Sequence, residues 1–167
     1  MALLGLSLSE MDIKRFYEMS IHEAAINWRR YPHSSDSTTY SRNHVVTLSG
    51  NQQLDVSASV EFKGDPNCAD PEQMLVSAVS SCHMLFFLAI AEFQGFCVET
   101  YEDNPQGFLE KGSKGGMEIT RVILTPKVVF SGDKRPDQAT IAKIHNGAHK
   151  NCFIRNSITA SVEINHS

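Results

Sequence analysis

The stretch Asp70–Gly95, DPEQMLVSAVSSCHMLFFLAIAEFQG, constrains the fold of this chain more than any other. Asp70 can accept a hydrogen bond from an orphan amide of a first helical turn. Pro71 fits the first helical position, where it has no amide to lose, and Gln73 stands close to a capping-box arrangement. Met74, Leu75, Ala78, Val79, Cys82, Leu85, Phe86, Ala89 and Ile90 then recur at i, i+3, i+4, i+7, the stripe of a helix packed on a core. Gly95 ends the helix. Its downstream half, MLFFLAIA, is apolar nearly all round, so the helix is expected to be central and covered on more than one side. Polar residues interrupt it too often for a membrane span. Cys82 lies on the stripe, where a cysteine ordinarily behaves as a small hydrophobe.

The segments around this helix read as sheet. Ser20–Arg29 sets Ala24, Ile26 and Trp28 on one face of a strand, and Tyr31–Tyr40, rich in Ser and Thr, is a loop. His44–Leu48 and Leu54–Phe62 form two strands joined across Ser49-Gly50-Asn51. Phe96–Tyr101 and Gly107–Lys111 are short strands. Met117–Phe130 is a longer one in which Pro126 implies an edge or a bulge. Asp137–Lys150 is a second helix, and Ser157–Ile164 closes the chain as a strand. Residues 1–19 are weakly defined, with at most a turn or two of helix around Met11–Tyr17. The expected architecture is one α+β domain over 1–167, an antiparallel sheet wrapped around two helices in the order β-β-β-α-β-β-α-β. So little sheet cannot cover so apolar a helix, and a homodimer with helix 71–94 or its flanks near the interface is expected.

A formal net charge of −4 gives no support to nucleic-acid or anionic-membrane binding. The four cysteines, Cys68, Cys82, Cys97 and Cys152, occur in a chain too large to need disulfide staples. MALLGLSLSEMD lacks a basic n-region and an A-x-A-like cleavage site, so no signal peptide is read there. A cytoplasmic protein with reduced thiols is expected. No nucleotide, flavin or haem signature is present, and no cofactor is expected.

Asp70-Pro71-Glu72-Gln73, Ser80-Ser81-Cys82-His83 and Ala148-His149-Lys150-Asn151-Cys152 together resemble the OsmC/Ohr family of thiol-dependent hydroperoxide reductases. Cys82 follows Glu72 by ten residues, as the reactive cysteine of that family follows its glutamate. Cys152 precedes the last strand, and Arg42 matches the spacing of an arginine from the N-terminal sheet. The resemblance runs from about Ile21 to the C-terminus. It differs from the better-known members in YSRNH around Arg42 and in Phe153-Ile154 after the second cysteine, and is nearest an OsmC-like branch. It implies an intertwined homodimer with two sites at the subunit interface, organic hydroperoxides as substrate, and a dithiol reductant of the dihydrolipoyl kind.

In the chemistry this implies, the Cys82 thiolate attacks the peroxide and becomes a sulfenic acid, which Cys152 condenses to a disulfide. A cysteine in an apolar helix needs a cation to ionise, and Arg42 is the candidate, oriented by Glu72 through a forked contact. Ten residues of straight helix span ~15 Å, so Glu72 must reach Cys82 through Arg42 or from the partner subunit. His83 points ~100° away from Cys82 and reads as packing or a dimer contact. Leu85, Phe86 and Phe87 would make an apolar wall for an alkyl peroxide. Cys68 and Cys97 read as incidental. Two rival readings remain. His145, His149 and Cys152 recur at i, i+4, i+7 and could hold a metal such as zinc. A non-catalytic dimer binding a hydrophobic ligand between its helices is the other.

Overall fold

The structure is a computed structural model that describes residues 20–165. The helical turns expected around Met11–Tyr17 lie outside the described residues.

An N-terminal antiparallel sheet comprises β1 (Ala25–Asn27), β2 (His44–Thr47) and β3 (Gln53–Val56) in that order. Its hairpin turns through Gly50 and Asn51 at φ 70° and 57°, a left-handed conformation that glycine and asparagine tolerate best. The third strand stops at Val56 instead of reaching Phe62, and Val60–Phe62 winds into a 3-10 turn. Ser57 is the reason: its hydroxyl donates to Asn43 Oδ1 (2.9 Å) and accepts from the Asp65 amide (3.1 Å). Those bonds turn the chain away from the sheet.

Helix α1 (Pro71–Phe93) begins and ends where the residues dictate. Asp70 Oδ1 accepts from the Gln73 amide at 2.7 Å and Gln73 Oε1 accepts from the Asp70 amide at 3.2 Å, a complete capping box. At the other end Gly95 (φ 75°) donates to Glu92 O and Phe96 donates to Ala91 O, a Schellman closure. The buried face is Val76, Val79, Ser80, His83, Phe87 and Ala91, rotated from the stripe the periodicity singles out. A helix apolar nearly all round has no preferred face until its neighbours choose one. The helix is long and apolar enough to cross a bilayer, and 33% of its most apolar window is buried inside the protein. Its inward polar groups are taken up by other elements of the chain, Ser80 by Asp103 and His83 by His145.

Four strands lie between α1 and the next helix, because the longest of the expected strands divides. Met117–Phe130 breaks at Thr125-Pro126 into β6 (Met117–Leu124) and β7 (Lys127–Ser131), which join different sheets. Pro126 has no amide for a ladder, and the Thr125 amide donates to Asp103 Oδ1 at 2.8 Å. Strand β7 pairs antiparallel with β4 (Cys97–Glu102). Strand β6 pairs antiparallel with β5 (Gln106–Lys111) and parallel with β8 (Ser161–Ile164). Helix α2 (Gln138–Asn151), capped by Asp137, and the short α3 (Phe153–Asn156) complete the chain.

Helix α1 is the hub of two cores. Phe87 and Ala91 pack with Phe130, Ile144 and Ala148, and Val76 and Val79 pack with Val122 and Leu124. The N-terminal sheet packs at most marginally on the helices.

Candidate active site

Cys82 and Cys152 meet. Helix α1 presents Cys82 half-buried, and the α2–α3 junction buries Cys152 to 1% exposure. Both are free thiols, and the Cys82 thiol lies near enough to Cys152 to act on its ionisation. Cys152 Sγ also caps α3, accepting from the Arg155 amide at 3.4 Å, and lies 3.9 Å from Val79 O. Burial pushes the Cys152 thiol up to about 11; the Arg155 amide opposes the shift and the neighbouring Cys82 thiol adds to it. At neutral pH Cys152 is a protonated thiol.

Arg42 and Glu72 stand apart from this pair within one chain. The Arg42 guanidinium stacks 4.6 Å over the Tyr40 ring and donates to Tyr40 O and to Thr39 Oγ1 (3.3 Å). With Trp28, His44 and Pro71 it lines an apolar cup of about 460 Å³ beside the start of α1. Glu72 sits in the first turn of α1, where the helix dipole favours an acid. Among the described residues the ion pairs are Lys63–Asp36 and Arg121–Glu110. The forked Arg42–Glu72 contact is therefore not made within one chain.

His83 is an interior packing group, as its position suggests, and its partner is one the sequence reading did not name. His83 Nε2 and His145 Nδ1 are 3.1 Å apart, both rings are 1% exposed, and their planes differ by 6°. His145 shares the face of Ile141, Ile144 and Ala148, which marks it as interior, whereas His83 lies off the apolar stripe and only the packing buries it.

The metal constellation is not assembled. Among the described residues no three His, Cys, Asp or Glu side chains are grouped to hold a metal. His145 is directed to His83 and the Phe87 ring (4.4 Å), while Cys152 is turned to Cys82 and α3. His149, the third member, has its Nδ1 buried without a hydrogen-bond partner, an arrangement that costs ~1–3 kcal/mol. Burial, and then the Arg155 charge, hold its pKa below the ordinary 6.5.

The apolar wall is smaller than expected. Phe87 is wholly buried in the core, whereas Leu85 is exposed and Phe86 is half-buried with Phe153 edge-on at 5.0 Å. Cys97 is exposed and accepts from Ser131 Oγ at 3.1 Å. Cys68 lies half-buried in the loop before α1, its thiol pushed up by burial, then by Asp65 and Asp55.

Comparison with known proteins agrees with this architecture. An OsmC-like protein of unknown function from Vibrio cholerae is 41% identical and superposes with a TM-score of 0.83, covering 89% of this chain and 100% of that one. The organic hydroperoxide resistance protein OhrB of Bacillus subtilis shares the fold at 17% identity, with a TM-score of 0.64 over 89% of this chain and 98% of its own. The uncharacterized protein YmaD of Bacillus subtilis is 29% identical over 125 residues, 74% of this chain and 83% of that protein. Residues 63–167 match the family described as OsmC-like protein, and with both cysteines and the central helix inside that span, the chain belongs to the OsmC-like family.

Proposed function

We propose that this protein is a thiol-dependent reductase of organic hydroperoxides. Cys82 attacks the peroxide, the O–O bond breaks, an alcohol leaves and Cys82 becomes a sulfenic acid. Cys152 then condenses with it, releasing water and leaving a disulfide that an external dithiol reduces. The observation that carries the reading is the nearness of the Cys82 and Cys152 thiols, brought together from distant parts of the chain. Their exposure supports these roles: a substrate can reach half-buried Cys82, whereas Cys152 is enclosed and rests as a thiol. Exposed Leu85 and half-buried Phe86 suit an organic group beside Cys82 better than hydrogen peroxide.

The cation that Cys82 needs comes, on this reading, from a second copy of the chain. Leu85 and Phe93 leave an apolar face of α1 uncovered at 59% and 84% exposure, and Ile26, Val60 and Phe62 are exposed in the N-terminal segment. Apolar surface of that extent marks an interface. A homodimer in which the N-terminal segment of one protomer lies on its partner's α1 would cover both surfaces and carry Arg42 toward the partner's Cys82.

Peptide mapping by mass spectrometry after one equivalent of cumene hydroperoxide tests the reading. A two-hydrogen loss on a Cys82–Cys152 peptide pair is expected. Unchanged cysteines would overturn the enzyme and turn attention to ligand binding.

A further inference from the structure

Disulfide formation requires a group that removes the proton of Cys152, and a candidate lies one helical turn away. His149 lies one turn before Cys152 on α2. The Cys152 amide still donates to Ala148 O at 2.9 Å, so the helical register continues to that residue and an i, i+3 pair brings the two Cβ atoms within about 5–6 Å. His149 Nδ1 is buried and has no hydrogen-bond partner. Arg155 bears on both groups: its amide donates to Cys152 Sγ and its charge acts on His149.

We propose that His149 is the base that carries the Cys152 proton to the departing hydroxide, an inference that rests on the peroxidase reading. The Cys152 thiol proton passes to His149 Nδ1, and the Cys152 sulfur bonds to the Cys82 sulfur. The S–O bond of the Cys82 sulfenic acid breaks, and its oxygen leaves with the returned proton as water. The sulfenic sulfur is reduced and the thiol is oxidised, both to the disulfide level, with no further co-reactant.

The need is quantitative. A thiol at about 11 is ionised to only ~10⁻⁴ at pH 7, whereas burial and Arg155 keep His149 neutral there. The other titratable or charged groups offered at this corner do not serve. From α1, Cys82 is the other reactant and His83 is directed to His145; on α2, His145 is directed to His83 and Lys150 is exposed. From α3, Arg155 has no lone pair to accept a proton.

The test compares the wild-type protein with His149→Asn and His149→Gln, neither of which can take up a proton; whichever variant folds serves. Reduced protein is mixed with one equivalent of cumene hydroperoxide, and the Cys82 sulfenic acid is trapped with dimedone during the time course. The expected result is sulfenic acid formation at the wild-type rate, with disulfide formation slowed roughly 10²-fold at pH 7. Its pH profile should change as well: the wild-type rate levels off above the imidazole titration, while the variant rate rises about tenfold per pH unit toward Cys152's own ionisation. A variant that closes the disulfide at the wild-type rate and profile overturns the proposal and leaves the peroxidase standing. A wild-type chain that forms no sulfenic acid overturns the peroxidase reading instead. The proton transfer is then judged with Ellman's reagent: a slowed second release of thionitrobenzoate, as Cys152 displaces it from Cys82, supports His149, and an unchanged release overturns it.

Discussion

The imidazoles of His83 and His145 lie nearly parallel in the interior, their planes 6° apart and Nε2 of one 3.1 Å from Nδ1 of the other. The Phe87 ring closes over His145 at 4.4 Å. This contact ties α1 to α2 beside the thiols, because His83 follows Cys82 and His145 lies about two turns before Cys152. Together with the packing of Phe87 and Ala91 on Ile144 and Ala148 it joins the two helices that carry Cys82 and lead to Cys152.

Removing the contact should loosen the site along with the fold. His83→Ala deletes a buried ring and a polar partner of His145. It should lower stability by ~2–4 kcal/mol in urea denaturation and slow closure of the Cys82–Cys152 disulfide. A variant with wild-type stability would show that the two rings contribute nothing to holding the helices.

Gly107 lets β5 lie directly on α1. A Cβ at that position would stand 2.3 Å from Val76 Cγ2, and Val76 is a buried, branched residue of the core. Gly107→Ala should therefore cost ~1–3 kcal/mol, read as a fall in the denaturation midpoint. Gly115→Ala, with open space around it but φ 88°, is strained by its backbone alone and should cost only ~1 kcal/mol.

Two groups predict opposite ends of the pH–stability curve. Cys152 has a folded pKa above its unfolded value of 9.0, so the unfolded chain ionises first and stability falls as pH rises from about 9 to about 11. His149 has a folded pKa below 6.5, so the unfolded chain binds the proton first and stability falls as pH drops through 6.5. Denaturation of Cys152→Ala and His149→Asn across both ranges should flatten the alkaline and the acid limb respectively. Curves identical to wild type would contradict these assignments.

Arg42 and Cys82 can be tested for action across protomers. Cys82→Ser and Arg42→Ala should each abolish hydroperoxide reduction. Co-expressed, the two chains form mixed dimers in which one site is whole if Arg42 serves the partner's Cys82, restoring about a quarter of wild-type activity. If Arg42 serves its own chain, no mixture regains activity.

Local chemistry in the sequence was sufficient to set the ends of α1, the hairpin at Gly50, an irregularity at Pro126 and the two cysteine contexts, because caps, turns and missing amides act over a few residues. The α+β class followed from the same signals. Tertiary packing decided the rest. The face of α1 that is buried could not be read from MLFFLAIA, where every direction is apolar. Pro126 announced an irregularity, but only the sheets on either side determined that it separates two of them. Cys82 and Cys152 could be named from their contexts, yet their nearness depends on how α2 packs on α1, where His83 meets His145 and Phe87 and Ala91 meet Ile144 and Ala148. Arg42 and Glu72 could be named too, but the folded chain holds them away from the thiols: one is stacked on Tyr40, the other sits a long helical stretch before Cys82. Residue identity determined which groups can do chemistry here, and the packing of helix on helix determined which of them meet.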